Sequence, residues 1–399
     1  MPIITAVSSP TTALITSTSD ASGNISYVTA NTTAMVIDTN QNTTHIGYVS
    51  APNTFGFKNR IMNGHFIVDQ RGLGTANNTT DGLLYTPDRW NSFGQQANKF
   101  STGTTTDAPV GFNKSIIITS LSSYAVQSTD RFIFRQSIEG YNLSDLNWGT
   151  SSAVPVTLSF WVKSSLTGTH GGSLLNGGQA RAYLFTYNIT TANTWQFISI
   201  TIPGDTQGTW PTDNTAGFKL WFTFGAGSNY TTTAPNQWAS GNLAATTGLV
   251  QLVATSGATW QATGIQLERG SIATSFDWRP YGTELQLCQR YYFQFNNNAS
   301  YNNMLGSGYA TSSSAIYAYI QFLVPMRSYP TSMTTDGTGT DYDVNQPAGL
   351  TICSAVPTLG SVSNFGATVT FNGTSFTSGQ VGLIRLRNST SYLGFSAEI

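Results

Sequence analysis

The chain has 399 residues, with 17 Lys and Arg against 18 Asp and Glu, a charged fraction of 9% and a net charge of −1. Soluble domains usually carry about a quarter charged residues. There is no Lys/Arg run to neutralise phosphates, so nucleic-acid binding is not expected. No stretch reaches 18 consecutive apolar residues, so no transmembrane helix and no membrane insertion is expected. The opening MPIITAVSSPTTALITSTSD lacks a basic start and an apolar core, and does not read as a secretory signal. Plentiful Thr, Tyr, Phe and Val favour strands, and 39 Gly with many Asn and Asp favour turns. The composition predicts an all-β protein of two or three domains.

Residues 1–57 form a polar, Thr/Ser/Asn-rich arm. Within ISYVTANTTAMVIDTNQNTTHIGYV, Ile25, Tyr27, Met35 and Ile37 alternate with polar residues, predicting two or three short strands. So small a sheet needs something to pack on, which makes the arm a docking or oligomerisation element. Residues 58–280 read as one large β domain. Strands are predicted at 114–121, 131–138, 154–165, 181–189, 195–203, 218–227, 249–255 and 260–269. In VTLSFWVKSS, alternation puts Val156, Leu158, Phe160 and Val162 on one face and Thr157, Ser159, Trp161 and Lys163 on the other. About eight to ten antiparallel strands of this kind predict a two-sheet jelly-roll sandwich. Trp161, Trp195 and Trp221 fall in strands, as core or sheet-face residues.

Residues 281–295 hold the best helix candidate. Thr283 is placed to cap a helix from Glu284 to about Tyr292, with Leu285, Cys288 and Tyr292 on one face. Residues 296–399 read as a smaller C-terminal β domain, with strands at 314–325, 350–356, 367–373 and 380–388. Cys288 and Cys353 are the only cysteines. Two in so long a chain do not make a disulfide framework, and buried free thiols are expected.

Enzyme signatures are absent: there is no HExxH, G-x-S-x-G, Walker loop or dinucleotide fingerprint. His45, His65 and His170 lack metal spacing. The loop TDGTGTDYD offers Asp336, Asp341 and Asp343 as oxygen ligands, but its spacing is not that of an EF-hand. It reads first as an ordinary acidic loop. No cofactor, no metal and no catalytic residue is expected. Loop aromatics say more. Trp210 and Asp213 in GTWPTDN, and Tyr230, Asn236 and Trp238 in NYTTTAPNQW, are glycan-binding candidates. Flat rings stack on a pyranose face while amides and carboxylates bond its hydroxyls. The competing reading is that each ring folds back over the sandwich rim. Around the helix, Asp277, Arg279, Glu284 and Arg290 concentrate charge in a sparsely charged chain, which predicts a domain junction held by ion pairs.

Several stretches resemble bacteriophage tail-fibre and other virion fibre proteins. NRIMNGHFIVDQRG (59–72) and YTPDRW (85–90) resemble the start of their β-sandwich module. VTLSFWVKSSLTGT and WQFISITIPGDTQGTW resemble its central strands, which are also similar to carbohydrate-binding-module jelly rolls. IQLERGSIATSFDWRPYGTELQLCQRYYFQF resembles the end-of-sandwich signature, and VPMRSYPTSMT the opening of a C-terminal β domain. The resemblance covers roughly residues 25–335.

The resemblance implies a non-enzymatic virion protein, made in the host cytoplasm and resident in a tail or capsid fibre. It implies a homotrimer that docks other virion proteins through its arm and touches host surface glycan with its β domains. It makes Glu268, Arg269, Asp277, Arg279, Glu284 and Arg290 junction residues. A capsid head fibre or decoration protein is the alternative. A polysaccharide depolymerase, which needs two carboxylates across a groove, ranks third.

Overall fold

The structure, a computed structural model, describes residues 57–82, 84–296 and 303–399, together with four strands between residues 16 and 45. The chain divides into two compact units, residues 1–56 and 57–399. In the first unit, Thr16–Ser19, Ile25–Thr29, Thr32–Ile37 and Thr43–His45 form an antiparallel meander, with Tyr27 opposite Met35 and Ile25 opposite Ile37. That is one strand more than expected. The rest of the predicted arm lies outside the described residues.

The second unit begins with a sandwich of two six-stranded antiparallel sheets. The first runs Gln196–Ile202, Val156–Ser164, Thr259–Arg269, Ser115–Ser120, Phe100–Thr105, Ala76–Asn77. The second runs Trp238–Ser240, Arg181–Ile189, Gly168–Asn176, Ala216–Ala226, Arg131–Glu139, Asn91–Gly94. Val156, Leu158, Phe160 and Val162 point inward as the alternation requires, into a core that includes Trp90, Phe134, Phe222 and Trp260. Trp90 stacks on Phe134 with ring centroids 4.9 Å apart. Each such ring removes a large apolar area from water, roughly 150–250 Å².

One expected strand is absent here and one strand was not foreseen, each for a physical reason. Residues 249–255 are not a strand. Leu252–Ala254 is a 3-10 turn that buries Leu252 and Val253 against the core, so its apolar residues plug the sandwich edge. In contrast, Gly168–Asn176 is a strand inside the second sheet although its glycines argue against one. A Cβ at Gly172 would overlap the Trp221 carbonyl oxygen, so close approach of neighbouring strands excludes a side chain there.

The helix is present but shifted. It spans Tyr281–Gln289, starting directly after Pro280, whose carbonyl accepts Thr283 N at 2.9 Å and Glu284 N at 3.1 Å. Thr283 is not its cap. The buried face carries Glu284, Cys288 and Gln289, and Tyr292 already begins the next strand. A carboxylate can lie on the buried side because it is paired there, as described below.

The C-terminal β domain has a seven-stranded and a three-stranded sheet. The small sheet places Tyr392–Ser396 between Tyr292–Asn296 and Ser332–Thr335. The large one runs Gly349–Ile352, Tyr342–Gln346, Val381–Leu386, Asn303–Ala310, Ala315–Gln321, Gly366–Asn372, Ala355–Val362. The two close over a separate core containing Phe293, Phe322, Phe371, Phe395 and Cys353. Both cysteines are free and buried. No helix among the described residues is long and apolar enough to cross a membrane.

Candidate functional site

Residues 271–290, where charge concentrates, are the place to begin. Arg279 is almost fully buried. Its Nη1 donates to both Glu284 carboxylate oxygens, at 3.3 and 3.2 Å, and its Nη2 donates to the carbonyls of Asn59 and, at 3.4 Å, Ile61. Glu284 also accepts Asn63 N. Asp277 accepts Asn59 N at 3.1 Å and lies 3.6 Å from Arg279. Glu268, fully buried, accepts Thr274 N at 2.8 Å and Thr274 Oγ1 at 2.7 Å. Gln266 Oε1 accepts Asp277 N at 2.8 Å. These bonds pin the segment 271–279 to the sandwich edge.

Arg290 reaches the sandwich as well, donating to the buried Glu139 at 2.8 and 2.5 Å, while Tyr291 OH donates to the same carboxylate at 2.8 Å. Arg269 is partly exposed, 3.8 Å from Asp145. Four further residues of the junction were not foreseen. Glu398 pairs with Arg89, whose guanidinium lies 3.4 Å over the Tyr291 ring. Arg71 lies 3.4 Å over the Tyr292 ring and 3.5 Å from both Glu398 and Asp88. Burial pushes the Asp88 carboxyl up to about 7 against the pull of Arg71. Arg89 and Asp88 belong to YTPDRW, one of the stretches that carry the fibre resemblance, but their partners lie far along the chain.

The pinned segment presents its other side to a groove of about 370 Å³ on the outer face of the first sheet. Phe112, Phe276 and Trp278 pack together as one aromatic wall. Trp161 and Phe197, cross-strand neighbours with ring centroids 5.5 Å apart, form the floor. Phe112 and Trp278 lie 4.9 Å apart. Trp278 is 54% exposed and Phe197 48%, so both rings are open to solvent. Ser159, Thr274 and Ser275 supply the polar atoms. None of the lining side chains is ionisable.

A bulge creates the space. Ser159 pairs with Gln266 and Trp161 with Thr263, so Gly264 and Ile265 together oppose Phe160. Gly264 has φ +63°, and a Cβ there would lie 2.6 Å from the Phe112 ring. Beyond the bulge, the strand leaves Ser115–Ser120 and bonds instead to the segment 59–64, through Arg60 N to Leu267 O at 2.8 Å and Ile265 N to Gly64 O at 2.9 Å. Behind the wall, His65 sits edge-on to Phe276 and Trp278, each at 5.4 Å. Burial and the nearby Arg279 hold its imidazole down at about 4, so it is neutral at pH 7.

The predicted glycan residues are arranged differently. Trp210 and Trp238 meet each other at 5.4 Å and Trp148 at 4.7 and 5.3 Å, all edge to face. Their indole N–H groups donate to the carbonyls of Gln207 and Pro203. Asp213 is exposed and closes its own turn by accepting Thr215 N at 2.9 Å. Asn236 is exposed and accepts Thr186 N at 3.4 Å. Tyr230 packs on the second sheet's outer layer, with Arg131 4.7 Å over its ring. The five are thus not gathered in one groove.

In the acidic loop, Asp336 accepts Thr338 N at 3.0 Å, and burial together with the neighbouring Asp341 raises its carboxyl to about 6. Asp343 is taken by Arg385 at 2.7 and 3.2 Å. Among the described residues no group of three or more His, Cys, Asp or Glu is arranged to hold a metal ion.

The chain matches no family profile and no curated protein sequence. Among solved structures it is similar to the enzymatically active domain of tailspike protein 4 from bacteriophage CBA120, at 13% identity over 53% of this chain and 21% of that one, with TM-score 0.29. It is also similar to a family 11 carbohydrate-binding module from Clostridium thermocellum in complex with a β-1,3-1,4-mixed-linked tetrasaccharide, at 12% identity over 51% and 99%, TM-score 0.25. A third is the CBM22-1 xylan-binding domain of Paenibacillus barcinonensis Xyn10C, at 9% identity over 50% and 94%, TM-score 0.25. Likenesses this distant leave function to the geometry of the site itself.

Proposed function

We propose that this protein is a virion fibre that attaches a phage particle to host cell-surface glycan, and that the outer-face groove of the sandwich is where the glycan binds. The observation that carries the reading is the groove: solvent-open Trp278 and Phe197 beside Phe112, Trp161 and Phe276, with Ser and Thr hydroxyls and no charge among its lining side chains. Aromatic faces take the apolar side of a pyranose, and hydroxyls bond its edge. An uncharged lining favours a neutral sugar. The fibre role rests on the sequence stretches that resemble virion fibres. Those stretches meet at the junction through Asn59, Asn63, Asp88, Arg89, Arg279 and Glu284. The reading includes a homotrimer docked through residues 1–57, in which three weak sites gain avidity. It includes no reaction step, because the groove lining holds no carboxylate pair.

The test is binding of labelled, folded protein to host cells before and after the surface polysaccharide is stripped. Saturable binding that stripping abolishes, and that Trp278→Ala weakens at least tenfold, is the expected result. Binding that survives stripping overturns the glycan reading. Absence of any binding by folded oligomer favours the head-fibre or decoration alternative.

A further inference from the structure

A second cavity, of about 530 Å³, opens where the sandwich meets the C-terminal β domain. Three cations line it from the sandwich side, Arg71, Arg135 and Lys219, and hydroxyls of Thr331, Ser332 and Ser396 line it from the other. We propose that this cavity binds an oxyanion, either free or carried by an acidic sugar, with Lys219 and Arg135 as its principal partners.

The argument starts from the strand register. Lys219 lies opposite Ser137 and Trp221 opposite Arg135, so the two cations are diagonal neighbours on one face of the second sheet. Neither has a carboxylate partner among the described residues. Lys219 is partly buried and its side chain makes no hydrogen bond or ion pair with any described residue, and the Arg135 side chain makes one hydrogen bond, Nε to Asn91 Oδ1 at 2.7 Å, with its guanidinium 5.3 Å over the Phe93 ring. Two acidic side chains and the Ile399 oxygens share the lining. Glu398 is held by Arg89 and Arg71, Asp81 accepts Thr79 Oγ1 at 2.8 Å, and Ile399 O accepts Tyr85 OH at 3.3 Å.

An ammonium partly removed from water, beside a like charge and without a counter-ion, is unfavourable on its own. Burial, with Arg135 and Arg131, accordingly pulls the Lys219 amine down to about 8. An incoming oxyanion reverses that imbalance, accepting charge-assisted bonds from the guanidinium and the ammonium while hydroxyls meet its remaining oxygens. The cavity is larger than a bare inorganic anion needs and falls within the usual range for small ligands, about 300–1,000 Å³. It therefore has room for a whole sugar unit.

The experiment uses the full chain at pH 7 and low salt. Sodium glucuronate, sodium sulfate and glucose are titrated by calorimetry and by thermal unfolding at matched ionic strength. Glucuronate or sulfate is expected to bind and to raise Tm. Lys219→Met is expected to fold at least as stably as the parent without anion, since it removes an unpaired charge, and to lose at least tenfold in affinity. Arg135→Gln provides a second, independent loss. Stronger binding of glucuronate than of sulfate assigns the acidic sugar, and sulfate alone, with the same dependence on Lys219, assigns the free anion. Glucose should show no Lys219-dependent binding. The proposal fails if neither anion binds, if Lys219→Met and Arg135→Gln leave anion binding unchanged, or if Trp161→Ala in the distant groove is what abolishes it.

Discussion

The outer faces of the two sandwich sheets are made by the same alternation and differ in what covers them. On the first sheet, Trp161 and Phe197 stay uncovered beside the buried Ser159 and form the floor of a neutral, aromatic groove. On the second, the corresponding positions carry Ile133, Arg135, Lys219 and Trp221. Later segments, including Tyr230, Ala244 and Leu249, close over the apolar members. The cations next to them are left at the edge of a cavity. Alternation decides which residues share a face. Coverage by segments far away in sequence decides whether that face becomes a core, an aromatic platform or a charged pocket.

The largest expected effect breaks the platform from behind. Arg279→Ala leaves Glu284 buried without its counter-ion, and losing one partner of a buried pair typically costs about 3–5 kcal/mol. Chemical denaturation should show that loss. Groove binding should fall with it, because Trp278 is the adjacent residue. Unchanged stability would remove Arg279 from the framework. Next, Trp161→Ala should lower affinity for a neutral oligosaccharide about tenfold, near 1.4 kcal/mol. Anion binding at Lys219 should stay untouched. Equal loss at both sites would show that the two faces are coupled.

Gly264→Ala should have an intermediate effect. An L-residue at φ +63° is strained by about 1–2 kcal/mol, and its Cβ collides with Phe112. A several-fold loss of groove affinity in calorimetry, with the anion site intact, is the expected result.

The smallest effect is a pH slope. His65 is held at about 4 in the fold against an ordinary 6.5, by burial and by Arg279. The fold therefore favours the neutral ring. The stability that His65 contributes is complete above pH 6.5 and is lost as pH falls towards 4. Unfolding free energy from chemical denaturation should fall over that window, while groove affinity of the folded protein changes only as pH nears 4, and His65→Gln should flatten the stability slope.

Much of the architecture was readable where a pattern is local. The alternation in 154–165 and 181–189 predicts strands that the sandwich contains, and the helix expected from Glu284 is present, starting three residues earlier at Tyr281. Gly168–Asn176 was not readable, because its glycines answer to neighbouring backbones rather than to strand propensity. The groove was legible only in fragments. Trp161 was recognisable as a sheet-face residue, but Phe112, Phe197 and Trp278 meet it only through a bulge and a pinned loop. Arg290 stood out as a junction charge, yet its partner Glu139 lies 151 residues earlier and Arg89 finds Glu398 309 residues later. Pairings of that span leave no periodic trace.

The order of the small C-terminal sheet sets a timetable. Its central strand, Tyr392–Ser396, is supplied about a hundred residues after its neighbour Tyr292–Asn296, with which it pairs from Tyr292 opposite Ser396. During synthesis the sandwich can close first, since all twelve of its strands lie before residue 270. Until the central strand and Glu398 follow, the edges of Tyr292–Asn296 and Ser332–Thr335 stay unpaired and the buried guanidinium of Arg89 lacks its carboxylate. Unpaired edges of this kind are where nascent chains associate with one another or are held by a chaperone.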